Sequence, residues 1–192
     1  MNEEQEIIQK YFLPIADNPE SLMLSNDAAF INKQENMVIS SDMMIEDVHF
    51  DKLDDPFCLA QKLLRVNLSD IAAMGAQPYG YILNLSIPKL NHELWLKRFC
   101  KGLAKDSEKF NLKLFGGDLG SSKNIFMSVT ILGLVSKKFH KNMIAHEGSE
   151  IFVSDTLGDA GIGLQIKKGN FSKLKKSEKI FFLSKFNTPL PQ

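Results

Sequence analysis

The sequence lacks an excess of charge of either sign. Its 23 basic residues balance 23 acidic ones, for a formal net charge of zero. That gives no support to a nucleic-acid or membrane-surface role, which calls for a basic surplus. Cysteine is scarce. Cys58 and Cys100 lie in helical patterns at no metal-binding spacing, and they read as thiols of a reduced, cytoplasmic protein rather than a disulfide. The N-terminus, MNEEQEIIQK, is acidic and amphipathic, unlike a signal peptide. The longest strongly apolar run, IFMSVTILGLV, is too short to span a bilayer and carries Ser128 and Thr130. There is no G-x-x-x-x-G-K-[ST], so a P-loop is excluded, and GDAGIG at 158–163 has the wrong spacing for a dinucleotide fingerprint. No Ser/His/Asp or Cys/His hydrolase arrangement can be singled out.

What is present is an ordinary globular composition, 44% hydrophobic and 24% charged, over 192 residues. That length is enough for one core, or for one domain and part of another. The periodicities predict a short helix over 3–12 and a hairpin from AAFI and MVIS. They predict a helix from Pro56 to about Met74, a strand in YGYILNLSI, and a helix over 92–110. LKLFGGD reads as a strand ending in a Gly-Gly turn, NIFMSVTILGLV as a long strand and EIFVSD as a short one. Helices follow at 158–168 and 176–186. The fold class is α+β, a mainly antiparallel sheet with helices on one face. The alternating strands 81–87 and 125–135 have apolar residues on both faces, so the face away from the helices is expected to take a second copy. The closing NTPLPQ reads as an interdomain linker, as though the chain stops where a second domain begins.

Four aspartates stand where side chains can converge. Asp27 precedes an apolar strand, Asp42 follows one, Asp70 lies on an apolar helical run, and Asp118 follows Gly116 and Gly117. Each alone could cap a turn or a helix. Together they suit hard cations such as Mg²⁺, and a metal would explain a carboxylate at Asp70. The two glycines allow a backbone to approach a phosphate. His92, His140 and His146 read as surface residues. His49, seven residues beyond Asp42, reads either as a core histidine or as a substrate contact. The lysines between 167 and 185 read as a solvated helix face.

Four segments in order, SSDMMIEDVHF, VNLSDIAAMGAQP, LFGGDLG and TLGDAGIGL, resemble the thiamine-monophosphate kinase family. That family sits in the superfamily of aminoimidazole ribonucleotide synthetase and selenophosphate synthetase. The resemblance implies an N-terminal metal- and nucleotide-binding domain over 1–138, with 139–192 beginning a C-terminal domain whose remainder is absent. It implies Mg²⁺-dependent transfer of the γ-phosphate of ATP to thiamine phosphate. It implies Asp27, Ser40, Ser41, Asp42, Asp70 and Asp118 as metal-site residues and His49 as the thiamine-phosphate contact. Gly117 and Asp118 fall at the nucleotide site, as does Asn142, which stands where the family carries arginine. It also implies a homodimer paired through the sheets. Two further departures are Ser25-Asn26-Asp27 in place of Gly-Asp-Asp, and Asp155 in place of a glycine. The alternative reading is a truncated, non-catalytic remnant that dimerises and at most binds Mg–nucleotide weakly. A third is another enzyme of the superfamily with a different acceptor.

Overall fold

A four-stranded sheet carries two long helices on one face. The structure is a computed structural model describing residues 3–26, 28–88, 92–135 and 146–192. In chain order it runs α1 (Glu3–Ile7), β1 (Asn36–Ile45), α2 (Pro56–Ala73), β2 (Gln77–Ile87), α3 (Glu93–Phe110), β3 (Lys113–Ser121), β4 (Phe126–Val135), α4 (Asp159–Lys167) and α5 (Lys176–Asn187). A π turn, Ile8–Phe12, continues α1.

The helix ends have local causes. Asp55 caps α2 by accepting a hydrogen bond from Phe57 N at 3.1 Å, and Pro56 takes the first helical position, where no N–H is needed. After α2 the chain turns through Gly75 at φ 64°, a conformation that glycine adopts without steric cost. α3 ends at Asn111, also left-handed. Along β2, Tyr81, Leu83, Leu85 and Ile87 are buried against the helices, as are Met127, Val129 and Ile131 of β4. Leu63, Leu64 and Ile71 of α2 and Leu96, Phe99 and Leu103 of α3 meet them.

The strand order is β1-β4-β2-β3. The pairs β1/β4 and β4/β2 are antiparallel, but β2/β3 is parallel. The sheet is therefore mixed, not mainly antiparallel. The cause is α3, an 18-residue crossover that returns the chain to the same end of the sheet before β3 begins. Three local expectations also give way. Residues 28–34 form no strand, because β1 takes its partner from β4 and leaves Ala29 and Ile31 to cover Tyr79 and Phe115. β3 does not stop at its glycines but runs through them to Ser121. EIFVSD finds no partner strand among the described residues and its alternation forms none, and Ile151 and Phe152 stand 93% and 84% exposed.

The lysines of the last two helices are not uniformly solvated either. Lys167 is largely buried between Asp51 and Asp54, and Lys185 pairs with Asp155. Among the described residues no helix is long and apolar enough to cross a membrane. The sheet face away from α2 and α3 exposes Met37, Ile39, Met43 and Ile82.

Candidate functional site

At one edge of the sheet, α2 lies across β1. The strand alternates, so Ser40 and Asp42 share a face, opposite Ile131 and Val129 of the core face. Asn67, wholly buried on α2, accepts a hydrogen bond from Asp42 N at 2.9 Å and donates to Leu63 O at 2.9 Å. One turn further on, Asp70 accepts a short hydrogen bond from Ser40 Oγ at 2.5 Å. Asp70 is thus exposed at the polar end of α2, not buried in its apolar run, and its partner comes from the strand. Ser41 faces the other way, bonded to Val129 O at 3.0 Å and to Thr130 Oγ1 at 3.1 Å.

The loop after β1 carries His49, which is exposed rather than a core histidine. Its Nδ1 accepts from Ile45 N at 3.1 Å. The neutral ring therefore carries its proton on Nε2, a donor suited to an anionic oxygen. Phe50 anchors the loop in the core, and Glu46, also buried, accepts from Ile125 N at 2.7 Å.

Gly117 and Asp118 lie elsewhere, on β3 at the opposite edge of the sheet. Asp118 pairs in register with Asn84 on the open face, whereas Leu83 and Leu85 beside it point to the helices. Two strands separate β3 from β1, a distance of roughly 14 Å at ordinary strand spacing. Asp42 and Asp70 therefore share a neighbourhood that Asp118 does not join within one chain, and His49 follows on the loop beyond the far end of β1. Around Asp118 is a cleft of about 780 Å³, lined by Ser25, Asn26, Asn84, Gly116, Gly117 and Leu132 among others. A Cβ on Gly117 would sit 1.7 Å from Leu83 O, so only glycine lets the two backbones run this close. Asp27 and Asn142 lie outside the described residues. Among the described residues no three His, Cys, Asp or Glu side chains group closely enough to hold a metal ion.

Sequence reasoning missed Asn67, although an asparagine three residues before Asp70 puts a polar group on nearly the same helix face. It also missed the buried cluster of Gln61, Arg65 and Asp106, which pins α2 to α3.

Residues 25–135 match the family described as AIR synthase related protein, N-terminal domain. The chain belongs to that family. It is 34% identical over 197 residues to the thiamine-monophosphate kinase of Haemophilus influenzae, an alignment covering 98% of this chain and 58% of that one. Among solved structures it is similar to the thiamine-monophosphate kinase of Stenotrophomonas maltophilia K279a, with a TM-score of 0.82 and 29% identity over 98% of this chain and 60% of that one. It is also similar to AaThiL complexed with AMPPCP and TMP, with a TM-score of 0.76 and 25% identity over 86% of this chain and 53% of that one. The chain spans about three fifths of the length of the curated relatives it matches.

Proposed function

We propose that this chain serves ATP-dependent phosphorylation of thiamine monophosphate to thiamine diphosphate, with 1–138 as the metal- and nucleotide-binding domain and 139–192 as the start of a second. The observation that carries the reading is the likeness to thiamine-monophosphate kinases, which extends over 98% of the chain in sequence and in fold. The ligands named for AaThiL, an ATP analogue and TMP, suit the same reaction.

The residue types agree with that chemistry. The acceptor is itself a phosphate with a second pKa near 6. It is a ready nucleophile at neutral pH and needs no general base. The obstacle is repulsion between two polyanions, and a hard cation removes it. Asp42, Asp70 and the Ser40 hydroxyl are oxygen donors of the kind Mg²⁺ takes, and the Ser40–Asp70 hydrogen bond indicates that strand and helix reach one point. Water and phosphate oxygens complete such a site, and Asp27 is its further proposed donor. When bound, Mg²⁺ neutralises phosphate charge. His49, with its proton on Nε2, donates to the thiamine phosphate. The cleft at Gly117 and Asp118 receives the nucleotide, the bare backbone there admitting its phosphates closely, and Asn142 is its further proposed contact.

The separation of Asp118 from Asp42 and Asp70 favours a second reading for the chain acting alone, a non-catalytic subunit that binds nucleotide weakly. Pairing two copies through the open sheet face is part of both readings. The test is thiamine diphosphate formation from thiamine phosphate, ATP and Mg²⁺, beside calorimetry with Mg–ATP. Residues 1–192 are expected to bind Mg–ATP and to lose that binding with Asp70→Asn. Positioning supplies roughly 7–11 kcal/mol of such a barrier. Turnover is therefore expected to be far weaker than binding. An unaltered Mg–ATP affinity in Asp70→Asn removes the metal assignment.

A further inference from the structure

The α4–α5 hairpin grips the body of the protein at three points. On α2, Arg65 Nη1 donates to Thr188 O at 3.1 Å and to Pro189 O at 3.3 Å, so the segment after α5 is strapped down rather than free. Lys62 Nζ, one turn earlier on α2, lies 3.5 Å from the Phe186 ring centroid of α5. The third point is not on α2. Lys167, in the last turn of α4, sets its Nζ 3.0 Å from Asp51 Oδ2 and in direct contact with Asp54 Oδ2.

Those two aspartates form the end of the loop that carries His49. Asp51 N donates to Asp54 Oδ2 at 2.9 Å, and Asp54 N donates to Asp51 O at 2.9 Å, making a closed turn. The turn begins two residues after His49, with only Phe50 between them. The Lys167 side chain is 19% exposed and that of Asp54 22%, so this pair is shielded from water in a way the exposed Lys10–Glu93 pair is not. Shielded pairs of opposite charge hold geometry, whereas exposed ones contribute little. Remove the amine, and two carboxylates share a turn without the cation that bridges them.

We infer that Lys167 is a positioning residue, through which the α4–α5 hairpin fixes the 46–54 loop and hence the placing of His49 toward a phosphorylated acceptor. The clamp itself stands on the contacts. Its bearing on the acceptor rests on the proposed function.

The experiment uses the 192-residue chain with Lys167→Met and Lys167→Arg. Hydrogen exchange is followed by mass spectrometry, and thiamine phosphate and Mg–ATP are titrated calorimetrically. In Lys167→Met the amides of 47–54 are expected to exchange about tenfold faster or more, with β4 unchanged. Thiamine phosphate affinity should fall about fivefold or more while Mg–ATP affinity holds. Lys167→Arg should restore both. Should Lys167→Met fail to fold, Asp51→Asn with Asp54→Asn removes both charges from the loop side and carries the same expectations for exchange and affinity. Unchanged exchange in 47–54 overturns the clamp. Faster exchange with unchanged thiamine phosphate affinity overturns its link to His49. A wild-type chain that binds no thiamine phosphate, but whose loop still loosens in Lys167→Met, upholds the clamp and overturns the proposed substrate.

Discussion

Asp106 should be the most sensitive single position between the two long helices. It is completely buried on α3. Its Oδ2 accepts from Arg65 Nε at 2.6 Å, and its Oδ1 accepts from Arg65 Nη2 at 2.9 Å and from Gln61 Nε2 at 2.6 Å. Truncation by Asp106→Ala strands a guanidinium that is itself 91% buried by side chain, with Nη1 alone still bonded, to Thr188 and Pro189. Removing one partner of a buried ion pair costs about 3–5 kcal/mol, because the other charge stays behind. Asp106→Asn keeps the shape and one acceptor oxygen and should lose less, about 2–3 kcal/mol. The double replacement Arg65→Met with Asp106→Leu removes both charges. It also gives up the contacts to Thr188 and Pro189 and leaves Gln61 short of a partner, about 1–3 kcal/mol in all. The apolar exchange regains a similar amount. Urea unfolding followed by circular dichroism at pH 7 measures all three. Against a total stability of about 5–15 kcal/mol, Asp106→Ala should shift the midpoint visibly and the double variant hardly at all. A loss below about 1 kcal/mol in Asp106→Ala, or a double variant as damaged as the single one, refutes the reasoning.

Two other perturbations follow from surfaces already described. Burial against α5, reinforced by the charge of Lys167 and opposed by Asp54, lowers the Lys62 amine to about 8 from 10.5. Below pH 8 the amine is charged folded and unfolded, so folding must bury a cation. That cost fades as pH rises through the folded value and is gone above the unfolded one. A pKa gap of this size is worth about 3 kcal/mol, discounted to about 1–2 kcal/mol for the partial exposure of Lys62. The Phe186 ring opposes it by about 0.5–1 kcal/mol. Lys62→Met should therefore stabilise the chain at pH 7 and have no effect near pH 11, and a destabilisation at pH 7 in thermal melts would show that the ring contact dominates. The open sheet face, where Ile39 is 65% exposed, should pair two chains, so sedimentation at micromolar concentration is expected to give twice the monomer mass. Ile39→Lys should return the chain to a monomer with its melting temperature kept, and a wild-type monomer would contradict the pairing.

Elements whose two faces differ were legible in the sequence. Helix Pro56–Ala73 and strand Gln77–Ile87 carry their core residues at periods of 3.6 and 2, so their type and bounds follow from local pattern. Pairing is not local. Ser40 meets Ile131 across more than ninety residues, and nothing near Ala28–Ile31 says that this segment will cover Tyr79 instead of joining a hairpin. The parallel β2/β3 pair was within reach, since a strand, an 18-residue helix and a strand form a crossover unit.

The site divides along the same line. Carboxylates at strand ends and on a helix were visible as residue types, but convergence depends on which face each occupies. The parity of β3 is decided by one residue. Tyr81 pairs with Leu114, yet Ile82 pairs with Gly116, so Phe115 is an extra residue in the ladder. Leu114 faces the helices, and strict alternation from it would carry positions 116 and 118 to the same side of the sheet as α2 and Asp70. The bulge reverses this. Phe115 packs on the open face with Tyr79 and Leu132, and Asp118 follows to that face beside Asn84. Gly80 makes room for it, since a Cβ there would meet the Phe115 ring at 2.2 Å. A phenylalanine thus directs the aspartate three residues away into the 780 Å³ cleft rather than toward the Ser40–Asp70 pair. A β3 that alternated strictly through Phe115 would put all three aspartates on the helix side, the arrangement that alternation alone suggests. The bulge instead leaves Asp42 with Asp70 on the helix side and Asp118 alone in the cleft, so within one chain the two groups stand on opposite faces of the sheet.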